Sequence, residues 1–205
     1  MVWALLVVLA GIPWASAADN PLLSPWDIHP VAATDAAFTC PAAPQLPHDF
    51  STNSYYTDRH HSVVDPVLKK KYEDSVAGVE DFSRAVVKAA DAFQTTGSRA
   101  AAQCVTVLLE SAAKQKALAG TMDGHQAFYV QKWNLGSWAV AYLKVRGSGL
   151  VSEDQNKSIT AWMNRVAEQS KGYCQQKRRP GTANDAQKQS SLLGGIRSCS
   201  RRDRQ

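Results

Sequence analysis

From Asp65 to Tyr173 apolar residues return every three to four positions in four successive runs, and no stretch alternates polar and apolar as a half-buried strand would. The period dictates helices. The first run opens with Asp65 as cap and Pro66 at the first helical position, carries Tyr72, Val76, Val79, Phe82, Val86, Ala89 and Phe93, and ends near Thr95–Gly97. Ser98 opens the second, whose stripe of Ala101, Cys104, Val105, Leu108 and Ala112 is expected to reach Leu118, with Gly120 just past its end. The third spans about Gly124 to Arg146, and its Phe128, Leu135, Trp138, Ala139, Tyr142 and Leu143 cover a wide arc. Ser152 and Gln155 form a capping box for the fourth, which carries Ile159, Trp162, Met163, Val166 and Tyr173. The class is all-α. Two hairpins of this kind are half of a bundle or the opening turns of a helical-hairpin ring, and the sequence leaves both open.

The 205 residues make one domain, preceded by a different kind of chain. Residues 18–50 hold six of the nine prolines, which fix φ and remove backbone donors, so this segment is expected to be an extended arm with little helix. Ahead of it, Val2–Ala10 is apolar, Gly11-Ile12-Pro13 breaks the run, and Ala15-Ser16-Ala17 ends it with small residues. That order reads as a secretory signal cleaved after Ala17 or Ala18, although no Lys or Arg precedes its apolar run. The stretch is too short to span a bilayer, so no membrane association is expected after cleavage. Export places Cys40, Cys104, Cys174 and Cys199 in an oxidising compartment, where three pairings are open.

The formal charge of +5 is misleading, because residues 177–205 contain eight Lys/Arg and two Asp/Glu. The rest of the chain, with 15 bases against 16 acids, is close to neutral. A nucleic-acid partner would need that positive charge on the folded body, and none is expected. No metal is expected either: His60 and His61 are adjacent, so their side chains diverge, and no Cys/His cluster has zinc spacing.

Three stretches stand in order along the chain: Cys40-Pro41-Ala42-Ala43-Pro44; Asn53-Ser54-Tyr55-Tyr56-Thr57-Asp58 with His61-Ser62-Val63-Val64-Asp65-Pro66; and Gln126-Ala127-Phe128-Tyr129-Val130-Gln131-Lys132-Trp133 with Ala141-Tyr142-Leu143-Lys144-Val145. Taken together they resemble the mannuronate-specific alginate lyases of bacterial periplasms. The likeness covers roughly residues 40–180 and lies in the order and spacing of the strings. It implies the N-terminal part of an incomplete α/α toroid with a long cleft. It also implies a cofactor-free β-elimination that cuts poly-β-D-mannuronate at the 4-O-glycosidic bond, in the periplasm and as a monomer. By the same resemblance Gln126 and Trp133, two helical turns apart, contact sugar hydroxyls and a sugar face, and Lys132 attracts uronate carboxylates. Tyr56 matches the Tyr of a mobile loop that closes over bound polymer, and Cys40 and Cys104 match a bridge contributing about 2–4 kcal/mol.

In that family an Asn-Asn-His-x-Tyr-Trp segment supplies the carboxylate-neutralising Asn and a catalytic His, and a later helix supplies Tyr and Arg. These 205 residues contain no such segment, and after Asn184 the likeness stops, so no catalytic residue is assigned. One permitted back-translation of Gln187–Gln205, less a single A, reads Gln-Asn-Asn-His-Leu-Tyr-Trp-Ala-Gly-Tyr, which restores the motif. The expected organisation is a signal at 1–17, an arm and lid-like loop at 18–64, a truncated lyase-like helical domain at 65–184 and a frame-shifted tail at 185–205, inactive as written. The competing expectation is a small exported helical protein that binds a partner without catalysis. It would fold as a stable, monodisperse unit, whereas exposed seams would make a lyase fragment poorly soluble.

Overall fold

The computed structural model describes residues 23–178, with side chains through Tyr173; the expected signal and tail lie outside these residues. The elements are α1 (Pro25–Ile28), β1 (Phe50–Ser51), α2 (Pro66–Thr96), α3 (Arg99–Lys114), β2 (Met122–Asp123), α4 (His125–Arg146) and α5 (Glu153–Arg178). The described residues are all-α apart from the two short strands.

Local chemistry sets the helix ends. Asp65 accepts from the backbone of Val67 and Leu68 at the start of α2, and Gly97, at φ 73°, ends it in the left-handed region. A Cβ on Gly97 would lie 2.3 Å from the Ala32 carbonyl oxygen, so the arm can pass here only over glycine. Ser98 caps α3 through the Ala101 amide at 3.2 Å. Ser152 and Gln155 exchange bonds of 3.0 and 3.2 Å ahead of α5.

One boundary differs from its expectation. α3 stops at Lys114 instead of continuing to Leu118, because Lys116 and Leu118 take positive φ. Tertiary bonds outweigh the apolar stripe there: Leu118 donates its amide to the Pro47 carbonyl at 2.8 Å and accepts from Gln131 at 2.8 Å.

The four long helices do not alternate around a square, as neighbours in an up-and-down bundle do. Trp138 Nε1 on α4 donates to Ser83 Oγ on α2 at 2.7 Å. Farther along both helices Gln94 Nε2 donates to the Lys144 carbonyl at 2.7 Å, so α2 and α4 run parallel. Likewise Gln155 Nε2 meets Glu110 at 3.3 Å and Trp162 Nε1 meets the Ala117 carbonyl at 2.8 Å, making α3 and α5 parallel. Two hairpins are therefore stacked with their corresponding helices parallel. Phe82, Phe93, Leu108, Leu109, Trp138 and Ile159 are fully buried between the layers, and Trp138 stacks on Trp162 with centroids 5.3 Å apart.

The arm runs beside α3 in the same direction. Thr34 brackets the α2–α3 turn by bonds to Gly97 and Arg99 of 2.8 and 3.0 Å, and Cys40 is disulfide-bonded to Cys104. Gln115 then supplies what the proline-rich backbone lacks, accepting from Leu46 at 2.7 Å and donating to Pro44 at 3.1 Å. The run ends in the parallel pairing of Phe50 with Met122 and Ser51 with Asp123, which sets the 51–64 loop at the entrance to α4. Among the described residues no helix is long and apolar enough to cross a membrane.

Candidate functional site

α4 is apolar on nearly every side, and only part of that surface is needed by the core. Ala127, Val130, Gln131, Trp138, Ala141, Tyr142 and Val145 are buried, whereas Trp133 is 60% exposed and Val140 45%. That exposure removes Trp133 from the core. Tyr129, one turn earlier, stacks on Trp133 with centroids 5.3 Å apart and planes 25° from parallel. Lys132 Nζ lies 4.7 Å from the centre of the Tyr129 ring, and Gln126 is half-buried one turn before Tyr129. Gln126, Tyr129, Lys132 and Trp133 thus share one side of the helix, joining two aromatic faces, an ammonium and an amide. Such a surface can stack on the apolar face of a sugar ring while an anionic group meets the ammonium.

Buried polar groups hold the helix beneath this platform. Ser83 accepts from Trp138 and donates to Asn134 Oδ1, and Asn134 Nδ2 returns to the Val130 carbonyl at 2.8 Å. On the opposite flank Gln131, fully buried, donates to Gln169 at 2.8 Å and accepts from Ser170 at 2.6 Å. His125 Nδ1 is 3.0 Å from the Tyr173 hydroxyl, and the Tyr173 ring stacks on Phe128 at 3.6 Å. The rotation of α4 is thereby fixed about its axis, and with it the direction of Trp133.

Tyr56 occupies a separate loop. Its ring stacks on His61 at 5.3 Å and lies 4.4 Å from Tyr55, which in turn contacts Tyr72 of α2 at 5.1 Å. The Tyr55 and Tyr56 hydroxyls share a hydrogen bond of 3.4 Å. That bond, followed by burial, pushes the Tyr55 phenol up to about 12, so it stays protonated at neutral pH. The Asp58 carboxylate closes the loop by accepting from the amides of Val63, Ser62 and His60 at 2.7, 2.8 and 3.0 Å. These bonds, that from Val63 foremost, hold Asp58 well below the usual carboxylate range. The loop is pinned to the start of α4 at Gly124, whose φ is 83°, and a Cβ there would lie 2.4 Å from the Thr52 carbonyl oxygen.

The structure therefore brings Gln126, Lys132 and Trp133 together and leaves Tyr56 among the aromatics of the loop. Sequence reasoning missed Tyr129, although its place four residues before Trp133 on a helix was the available signal. It also missed a hollow of about 280 Å³ beneath the loop, lined by Ser51, Asn53, Ser54, Lys71, Tyr72 and Ser75. Among the described residues no three His, Cys, Asp or Glu side chains group as a metal site.

The family model for alginate lyase matches residues 49–186, a span that includes the loop and all of α2 to α5. A protein named polysaccharide lyase from Stenotrophomonas maltophilia is 32% identical over 146 residues, covering 70% of this chain and 44% of its own length. An alginate lyase of Pseudomonas syringae pv. syringae is 26% identical over 175 residues, covering 80% of this chain and 46% of its own. One from Pseudomonas putida KT2440 is 25% identical over 143 residues, covering 66% and 38%. The chain spans less than half the length of these relatives. With a match across the whole helical layer that carries the platform, this chain belongs to the alginate lyase family.

Proposed function

We propose that this chain is the polymer-holding part of an exported, periplasmic alginate lyase. Its substrate is an anionic polysaccharide rich in β-D-mannuronate, cut by β-elimination at the 4-O-glycosidic bond. The reaction neutralises the C5 carboxylate, removes the weakly acidic C5 proton and protonates the departing O4, so it needs a sugar held still while protons move. The observation that carries the reading is the platform of half-buried Tyr129 and Lys132 around the exposed Trp133, inside the family match. Trp133 and Tyr129 take the sugar face, Lys132 meets a carboxylate, Gln126 bonds a hydroxyl, and Tyr56 covers the bound chain from the loop. Each of these contacts is as strong in the ground state as in the transition state, so they set affinity and leave bond breaking to other groups.

Calorimetric titration with polymannuronate tests the reading, with the ultraviolet absorbance of unsaturated product read in parallel. The expected result is saturable binding to the full chain, weakened roughly tenfold by Trp133→Ala, in line with about 1.4 kcal/mol for a stacked ring. Binding indifferent to Trp133 and Lys132 would sink it. An unrelated protein ligand bound in place of the polysaccharide would favour the non-catalytic alternative. The shifted-frame reading of residues 185–205 is proposed alongside, and resequencing around codon 187 decides it.

A further inference from the structure

The furrow between α2 and α4 continues past Trp133 toward the C-terminal ends of both helices. Its floor there is Val87, Gly136 and Val140, an open depression of about 440 Å³ that ends at Lys144. The N-terminal arm closes this end with α1. Trp26 lies beside Lys144, whose Nζ is 5.7 Å from the ring centre. α1 is held in place by Arg146, whose guanidinium grips Asp27, with Nε at 3.2 Å, and by the reciprocal capping bonds of Ser24 and Asp27. An aromatic ring beside a lysine thus recurs at the far end of the furrow. From Trp133 to Lys144 is eleven residues, about 16 Å of helix, enough for a polysaccharide to span several rings. Lys88, exposed on the α2 rim between them, has no ion pair among the described residues. Lys144 does have one, with Asp91 at 2.5 Å, and Asp91 is itself about half exposed.

We propose that Trp26 and Lys144 form a second, distal subsite for a polyuronate chain, supplied jointly by the N-terminal arm and α4. A uronate ring rests on the indole, and its carboxylate takes the place of Asp91 on the Lys144 ammonium. The inference rests on the reading of the Trp133 platform given above and extends it. Charge complementarity selects the occupant: a repeating anion satisfies Lys132, Lys88 and Lys144 in turn, whereas a neutral glycan offers no charge to Lys132 or Lys88 and leaves Lys144 on Asp91.

The test uses the full chain, titrated with long polymannuronate and with its trisaccharide, in four forms: unaltered, Trp26→Ala, Asp91→Asn and Trp133→Ala. Trp26→Ala is expected to weaken long-chain binding roughly fivefold and leave the trisaccharide unchanged. Asp91→Asn, which frees the ammonium, is expected to strengthen long-chain binding roughly threefold. Trp133→Ala weakens both ligands. Long-chain affinity unmoved by Trp26→Ala and unmoved or lowered by Asp91→Asn overturns the distal subsite, while a surviving Trp133 effect leaves the platform reading intact. Loss of both ligands' binding in no variant overturns the platform reading itself. Should Trp26→Ala loosen the arm and lower the melting temperature, the sign of the Asp91→Asn effect decides alone.

Discussion

α3 and α4 are neighbours in sequence with similar apolar content, yet they present opposite surfaces. α3 buries Ala101, Ala102, Cys104, Val105, Leu108, Leu109 and Ala112, has the arm beside it, and turns Arg99, Gln103 and Lys114 outward, with Val107 the single large apolar side chain among them. α4 buries an equally apolar face and still turns Trp133 and Val140 outward. A surface helix satisfied by its core turns mainly polar groups outside, as α3 does apart from Val107, and exposes no aromatic ring. The second apolar face of α4 therefore serves something other than the packing of these four helices, and the indole pair Trp133 and Trp138, five residues apart, separates the two uses.

The sharpest way to break this contrast is to truncate each indole in turn. Trp138, fully buried against Phe82 and Trp162 and hydrogen-bonded to Ser83, is expected to cost about 4 kcal/mol on change to alanine. Trp133→Ala is expected to stay within about 0.5 kcal/mol in urea unfolding while losing polysaccharide affinity. Equal losses of stability would show that both faces of α4 belong to the core. Next in size is the link that ties the arm to α3: Cys40→Ala with Cys104→Ala is expected to lower stability by about 3 kcal/mol, read as a fall in melting temperature. α4 has no such link, so its platform should keep its binding in that variant once folded.

Gly124→Ala sharpens the comparison from the loop side. A methyl group there meets the Thr52 carbonyl and must also hold a positive φ, a cost of about 2 kcal/mol. α4 and the 51–64 loop should separate, so the cost should appear as increased amide exchange in Phe50–Asn53, where Phe50 and Thr52 bond to Thr121 and Asp123. Unchanged exchange in that segment would mean that the loop is held elsewhere.

What the sequence made legible follows the range of the forces involved. The Asp65-Pro66 start, the Ser98 cap and the Ser152–Gln155 box are short-range, and the structure has each of them. The parallel pairing of α2 with α4 was not legible, because Ser83 and Trp138 meet across 55 residues and no local pattern encodes their register. Leu118 misled for the same reason: its spacing continues the α3 stripe, but Pro47 and Gln131 claim its backbone. At the site, Gln126, Lys132 and Trp133 were legible through family likeness and helical spacing. Trp26 was not, since a tryptophan in a proline-rich arm gives no sign that it will reach Lys144 on another element.

The smallest expected effect concerns the arm's hold on the far end of α4. The hydrogen bond from Arg146, then those from Ser24, hold the Asp27 carboxyl well below its ordinary value of 3.8. A carboxyl depressed in the folded state contributes its stability above the unfolded value and loses it as the pH falls toward the folded one. Docking of α1 is therefore expected to be constant from neutral pH down to about pH 4 and to weaken below it. The difference in fluorescence between the chain and its Trp26→Phe variant isolates the indole that moves. Asp27→Asn should remove the acid transition from that difference, because the neutral amide no longer offers Arg146 a charge to lose. A transition retained in Asp27→Asn would assign the acid response to another carboxylate. The distal end of the furrow would then still open in acid, through a group other than Asp27, and the Arg146–Asp27 pair would not be what keeps Trp26 beside Lys144.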